Sequence, residues 1–183
     1  MEIESIKTER LAIRNITFDD LKSNKFINEF IDFFIDKELS PLAIYDEEFP
    51  TDKNAIINMA ESMANHKHHL AILLSLTNTF IGYIFHIACG DDNKELGIGY
   101  AIHSAYQNKG YGTEALSSFI EFIRENTDYV KVCAGTANVN KPSVRMLEKL
   151  NFQKVNEHTQ SLRNDKQGKP IEYIESFYTF SLK

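Results

Sequence analysis

Two glycines stand two residues apart in Gln107-Asn108-Lys109-Gly110-Tyr111-Gly112-Thr113, between an alternating apolar stretch and a segment with helical apolar spacing. That arrangement suits an anion. A helix beginning at about Thr113 turns its first unpaired N–H groups and its positive dipole end toward the turn. Gly110 and Gly112 let the backbone approach a ligand, and Lys109 offers an extra charge, so a pyrophosphate can be held mainly by backbone. Tyr111 suits packing better. An ordinary tight turn fits the same residues. A P-loop requires Gly-Lys-Ser/Thr, which is missing, and Gly97-Ile98-Gly99 lacks the third glycine of a dinucleotide fingerprint and lies inside a strand pattern.

Other titratable and soft side chains are less informative. His103 can titrate near neutrality or simply end a strand. His66, His68 and His69 lack a supporting carboxylate or thiol pattern, so a solvated loop is expected there. Cys89 and Cys133 are the only cysteines, and no CxxC or metal-type spacing joins them; core thiols in a reducing cytosol are expected, with no metal. Asp36, Glu38, Asp46, Glu47, Glu48 and Asp52 make one stretch acidic, which suits either a cationic acceptor or a solvated loop.

The elements that must position these residues follow from periodicity. Leu11, Ile13 and Asn15 alternate as a strand, Thr17 caps a helix reaching about Ile35, and Thr51 caps another reaching about Asn65. Leu70 to Leu76 and Phe80 to Ala88 read as a hairpin turning at Thr77-Asn78-Thr79. Gly90-Asp91-Asp92-Asn93 turns again, and Leu96, Ile98, Tyr100 and Ile102 alternate with Gly97, Gly99 and Ala101 in a strand with one bulky and one bare face. After the glycine loop come a helix to about Asn126, a strand around Val130 and Val132, and a short helix opened by Pro142 with Asn151 as a left-handed C-cap. Two tail strands, about 152–162 and 171–182, close the chain.

With 183 residues, one domain is expected, burying roughly 70% of the unfolded surface. An apolar share of 43%, with 13 Phe and 8 Tyr, supports a packed interior rather than disorder. The formal charge of -6, without a basic run, argues against nucleic acid as partner. No apolar stretch approaches the roughly 20 residues of a membrane span, and Met1-Glu2-Ile3-Glu4 does not open a signal peptide, so a soluble cytoplasmic protein is expected.

Gln107-Asn108-Lys109-Gly110-Tyr111-Gly112 resembles the Gln/Arg-x-x-Gly-x-Gly/Ala cofactor motif of the GNAT superfamily of N-acetyltransferases. A second block, Asn140 to Phe152, is similar to that family's Asn-x-x-Ser-x-x-x-Leu-Glu-Lys-x-Gly-Phe, with Asn151 in place of the usual Gly. Thr8 to Arg14 resembles the opening of the branch containing ribosomal-protein N-terminal acetyltransferases. The resemblance implies an α/β (α+β) fold, a mixed and mostly antiparallel sheet of about six to seven strands flanked by helices. It also implies acetyl-CoA as co-substrate.

By the same resemblance, Tyr100, Ala101 and Ile102 offer backbone bonds to the pantetheine arm where their strand splays from the one around Val130 to Thr136. Gln107 to Thr113 hold the pyrophosphate, and Asn140 bonds the cofactor arm. Ser143 contacts the cofactor or protonates the departing thiolate, unless it is only a polar group in a helix's first turn. Many relatives carry a Glu where Gly97 stands and a Tyr where Leu147 stands. Glu95, roughly 7 Å upstream on the same strand face, is the candidate base through water, with an exposed strand-end carboxylate as the alternative. The expected partner is an amine acceptor, a protein N-terminus first and a polyamine or other small amine second, on a monomer or homodimer. A non-catalytic acyl-CoA-binding sensor is the competing class.

Overall fold

The computed structural model describes residues 3–90 and 93–183, so the aspartates of the expected Gly90-Asp91-Asp92-Asn93 turn, like Met1 and Glu2, lie outside the described residues. The chain opens with β1 (Ile6–Lys7), β2 (Leu11–Asn15), α1 (Phe18–Leu21), α2 (Asn24–Leu39) and α3 (Lys53–His66). Next come β3 (His69–Leu74), β4 (Phe80–Cys89), β5 (Glu95–Ile102), α4 (Tyr111–Asn126) and β6 (Lys131–Ala137). The chain finishes through α5 (Lys141–Lys149), β7 (Gln153–Gln160) and β8 (Tyr173–Ser181).

The strands form one sheet in the order β1-β2-β3-β4-β5-β6-β8-β7. Among the described strands, only β5 and β6 pair in parallel. Eight strands are thus described, against the six to seven expected, and β1 explains the excess because two residues are too few to show alternation. No described helix is long and apolar enough to cross a membrane.

Helix boundaries moved where a second cap was available. The first expected helix divides because Thr17 forms a reciprocal capping box with Asp20 on α1, while the Ser23 hydroxyl accepts from Phe26 N to start α2. Asp52, rather than Thr51, caps α3 by accepting from Asn54 N and Ala55 N at 2.9 and 3.0 Å. Asn151 takes φ 63 after α5, the expected left-handed stop.

The sheet has a core on each face. Leu96 and Ile98 of β5 pack with Leu116, Phe119 and Ile123 of α4 on one side. Across the sheet, Phe26, Phe30, Phe33 and Phe34 of α2 gather on Phe80 and Tyr83 of β4, with α3 beside them. Each of these buried rings contributes about 1.5–3 kcal/mol through removal from water, which fixes α2 against β4. The bare face of β5 consequently lies beside the rim of the aromatic core, and Ala101 packs against it.

Candidate active site

The functional geometry begins where two strands part. β5 pairs with β6 from Glu95↔Lys131 to Ile98↔Ala134, yet β4 follows β5 to Ile102 and β8 follows β6 to Ala137. Gly99 to Ile102 and Gly135 to Ala137 therefore diverge as the sides of a fork. Backbone groups that a strand turns into such a fork must bond water or a ligand, and an extended arm can lie there as an added strand would. Gln107 closes the upper end, its Nε2 donating to Ile102 O at 2.8 Å.

The glycine loop meets the fork at the start of α4. Asn108 and Gly110 have φ of 59 and 83, and Gly110 is the N-cap, so α4 begins two residues before the expected Thr113. The first backbone bond of the helix runs from Glu114 N to Gly110 O, leaving the Tyr111, Gly112 and Thr113 N–H groups without partners within the helix. A phosphate fits that end. Gly112 serves packing as well, since a side chain there would put its first carbon 3.3 Å from Met146 Sδ on α5.

Arg10 braces the glycine loop from β2's entry. Its guanidinium pairs with Glu114 at 2.5 Å, donates to Lys109 O at 3.0 Å and lies 4.6 Å from the Tyr111 ring centroid. Thr8 Oγ1 also donates to Glu114, at 2.5 Å. These contacts tie β2's entry to the loop and leave a cation at its mouth, with the Arg10 side chain 42% exposed. Lys109 instead folds back, its ammonium donating to Ala105 O at 2.8 Å. Only the Thr8-Glu9-Arg10 resemblance marked the position in sequence.

On the far side of the fork, Asn140 is the N-cap of α5 and accepts from Ser143 N at 3.2 Å. The Ser143 hydroxyl stands 2.9 Å from the Tyr100 hydroxyl, joining β5 to α5 across 43 residues. Burial pushes the Tyr100 phenol up to about 12, with the Ser143 bond partly opposing. The phenol therefore stays protonated and is a donor to any developing anion beside it. Leu147, where many relatives carry a Tyr, is fully buried in the core.

The other named groups sit elsewhere. Glu95 lies at the start of β5, about 17 Å along the strand from Tyr100 at roughly 3.3 Å per residue. There it accepts from Lys131 at 2.5 Å and from the Cys133 thiol at 3.3 Å. Burial, reinforced by Glu95, pushes that thiol up to about 12. His103 Nδ1 accepts from Ala105 N, so Nε2 carries the proton toward Asp32 at 3.0 Å and the ring serves as a cap. His66, His68 and His69 do not form a ligand cluster among the described residues.

The acidic stretch is largely occupied by structural work. Asp36 caps the turn at Ser104, Asp46 pairs with Lys37, and Glu38 pairs with Arg163 of the β7–β8 loop. Arg163 also donates to Asp46 O and Glu47 O at 2.8 and 2.6 Å, latching the two loops together. Glu47 and Glu48 keep exposed carboxylates. Beside them a hollow of about 640 Å³ is lined by Ile44, Glu48, Arg163 and Ile171.

Glu175 was not singled out from the sequence, because nothing but strand register brings it to the fork. It pairs with Ala137, and a side chain on Gly135 would put its first carbon 2.6 Å from Glu175 Oε1. Gly135 follows Ala134, the last β6 residue bonded to β5. The carboxylate thus covers the point of divergence, with His158 Nε2 at 3.9 Å. Tyr173, raised to about 12 by burial and then by Glu175, continues toward Tyr45, 5.4 Å ring to ring.

Comparison with known proteins agrees with this geometry. Residues 10–153 match the family model for the acetyltransferase (GNAT) domain. An uncharacterised N-acetyltransferase of Bacillus subtilis, YnaD, is 26% identical over 150 residues, covering 81% of this chain and 82% of its own. Among solved structures, a GNAT-family acetyltransferase from Bacillus anthracis superposes with TM-score 0.78 at 20% identity, covering 97% of this chain and 98% of its own. The ribosomal-protein-S5-alanine acetyltransferase from Vibrio fischeri does so with TM-score 0.78 at 16% identity, covering 99% and 98%. The forked sheet, its glycine-capped helix and the matched sequence together make this chain a member of the GNAT family of acetyltransferases, a family that implies acetyl-CoA as co-substrate.

Proposed function

We propose that this acetyltransferase moves the acetyl group of acetyl-CoA to a protein N-terminal α-amine by direct attack. The observation that carries the reading is the fork between β5 and β6, with the N-terminus of α4 at one end and the Tyr100–Ser143 pair beside it. Backbone of Tyr100 and Ala101 would hold the arm, the Gly110 to Thr113 amides the pyrophosphate, and Asn140 with Ser143 the opposite wall. An α-amine acceptor is supported by chemistry. Deprotonating an amine of pKa near 8 at pH 7 costs about 1 to 1.5 kcal/mol, against about 4 to 5 for a lysine, so a modest base suffices.

The amine nitrogen would form the new bond to the acyl carbon while the carbon–sulfur bond breaks. The thiolate takes a proton from Ser143, which Tyr100 can resupply, and the amine's proton passes to water or carboxylate. Glu175 is the better situated carboxylate, since Glu95 is engaged by Lys131 and Cys133 at the other end of β5. The hollow between the acidic loop and the β7–β8 loop is the entry for a peptide. The name of the Vibrio fischeri structure, which specifies a ribosomal-protein alanine, supports the same acceptor class.

The reading is tested by thiol release from acetyl-CoA over a panel of peptides and polyamines. CoA release with peptides carrying a free N-terminus is expected. Saturable acetyl-CoA binding without release across the whole panel would support the sensor alternative, for which the missing Glu at Gly97 and Tyr at Leu147 speak.

A further inference from the structure

The sheet assembles a group of side chains that the sequence keeps far apart. Cys89 pairs with Glu95 across β4 and β5, and Cys133 pairs with Gly97 across β5 and β6. All three side chains therefore emerge on one face, and their Sγ and carboxylate atoms lie within 4.8 Å of one another. Beside them is Gly97, where a first side-chain carbon would stand 3.5 Å from Ile87 Cγ2 and 3.6 Å from Cys89 Sγ. Each of the three is half-buried, which leaves an approach from solvent.

A disulfide does not fit. Cys89 and Cys133 lie two strand spacings of roughly 4.8 Å apart, which keeps their Cα atoms at least about 9 Å from each other, whereas a disulfide needs less than about 7 Å. Both thiols flank β5 and cannot close that distance without breaking the sheet. A metal ion makes a different demand. Zinc–sulfur bonds of about 2.3 Å in a tetrahedron place two sulfurs about 3.8 Å apart, within about 1 Å of the present 4.8 Å limit on their separation.

We infer that Cys89, Glu95 and Cys133 form a binding site for a thiophilic divalent cation of the zinc class, with water as the fourth ligand. The donor set of two thiolates and one carboxylate selects zinc over magnesium or calcium, which take oxygen ligands. Lys131 is the built-in competitor. Its ammonium bonds Glu95 at 2.5 Å, but its side chain is 39% exposed and can swing into solvent when a dication replaces it. The site is independent of acetyl transfer.

Cobalt(II) titration of the full chain, pre-treated with a chelator, reads the site directly. One equivalent should produce thiolate-to-cobalt charge-transfer absorption with tetrahedral visible bands, and zinc should displace it. Cys89→Ser and Cys133→Ser should each abolish the charge-transfer band's two-thiolate intensity, while Lys131→Gln should tighten binding about tenfold. Absence of the band in the unsubstituted protein, or a band unchanged in both serine variants, overturns the site. If the serine variants do not fold, zinc protection of both thiols from alkylation in the unsubstituted chain decides, and unprotected thiols overturn the site.

Discussion

At the residue scale, the Tyr100–Ser143 hydroxyl pair is the sharpest feature of the fork. If it protonates the departing thiolate, Ser143→Ala and Tyr100→Phe should each lower kcat about 10- to 100-fold and change the acetyl-CoA KM little, as steady-state kinetics would show. A rise in KM alone would reduce the pair to a binding contact. Glu175→Gln should lower kcat/KM most at neutral pH and least above the amine's own pKa, where the acceptor is already neutral. The sequence displayed Ser143 through its motif, but hid its phenol partner. Alternation put Tyr100 on the bulky face of a strand, and nothing local tells a core tyrosine from one that reaches a helix 43 residues away.

At the scale of elements, the proposed anion site is a helix start that Arg10 braces. Arg10→Ala should raise the acetyl-CoA KM about tenfold with kcat within about twofold, because it removes a cation and a clamp but no reacting group. Gly110→Ala should strain a φ of 83 by about 1–2 kcal/mol and loosen the same loop. Elements with long periodic patterns were legible: α4, β4 and β5 fall close to their expected spans. Boundaries decided by competing caps were not, as at Ser23, Asp52 and Gly110, where the better-oriented oxygen or the positive φ won. The acidic stretch was visible as charge, but its long-range partners, Arg163 above all, belong to the tertiary fold.

At the scale of the whole molecule, the half-buried His69 and the buried His86 tie stability to pH. Burial holds His69 and His86 down at about 4, with neighbouring histidines adding to it, against 6.5 for a free ring. Between pH 6.5 and 4 the unfolded chain binds protons that the folded chain refuses, so stability is present above 6.5 and lost on acidification toward 4. The slope is up to about 1.4 kcal/mol per pH unit for each group. Urea melts across that window should show it, and His86→Leu should flatten it; an unchanged slope would show that His86 is not a determinant. The family was legible because order and spacing of the two motifs span strand, loop and helix. The acceptor was not, since strand register alone brings Glu175 beside Gly135, and Arg163 joins the acidic loop to the β7–β8 loop across 117 residues. The most direct measurement uses one peptide bearing both a free α-amine and a lysine, incubated with acetyl-CoA at neutral pH and fragmented by mass spectrometry. Acetyl on the α-amine is the expected result; acetyl on the lysine alone, or on neither amine, contradicts the account.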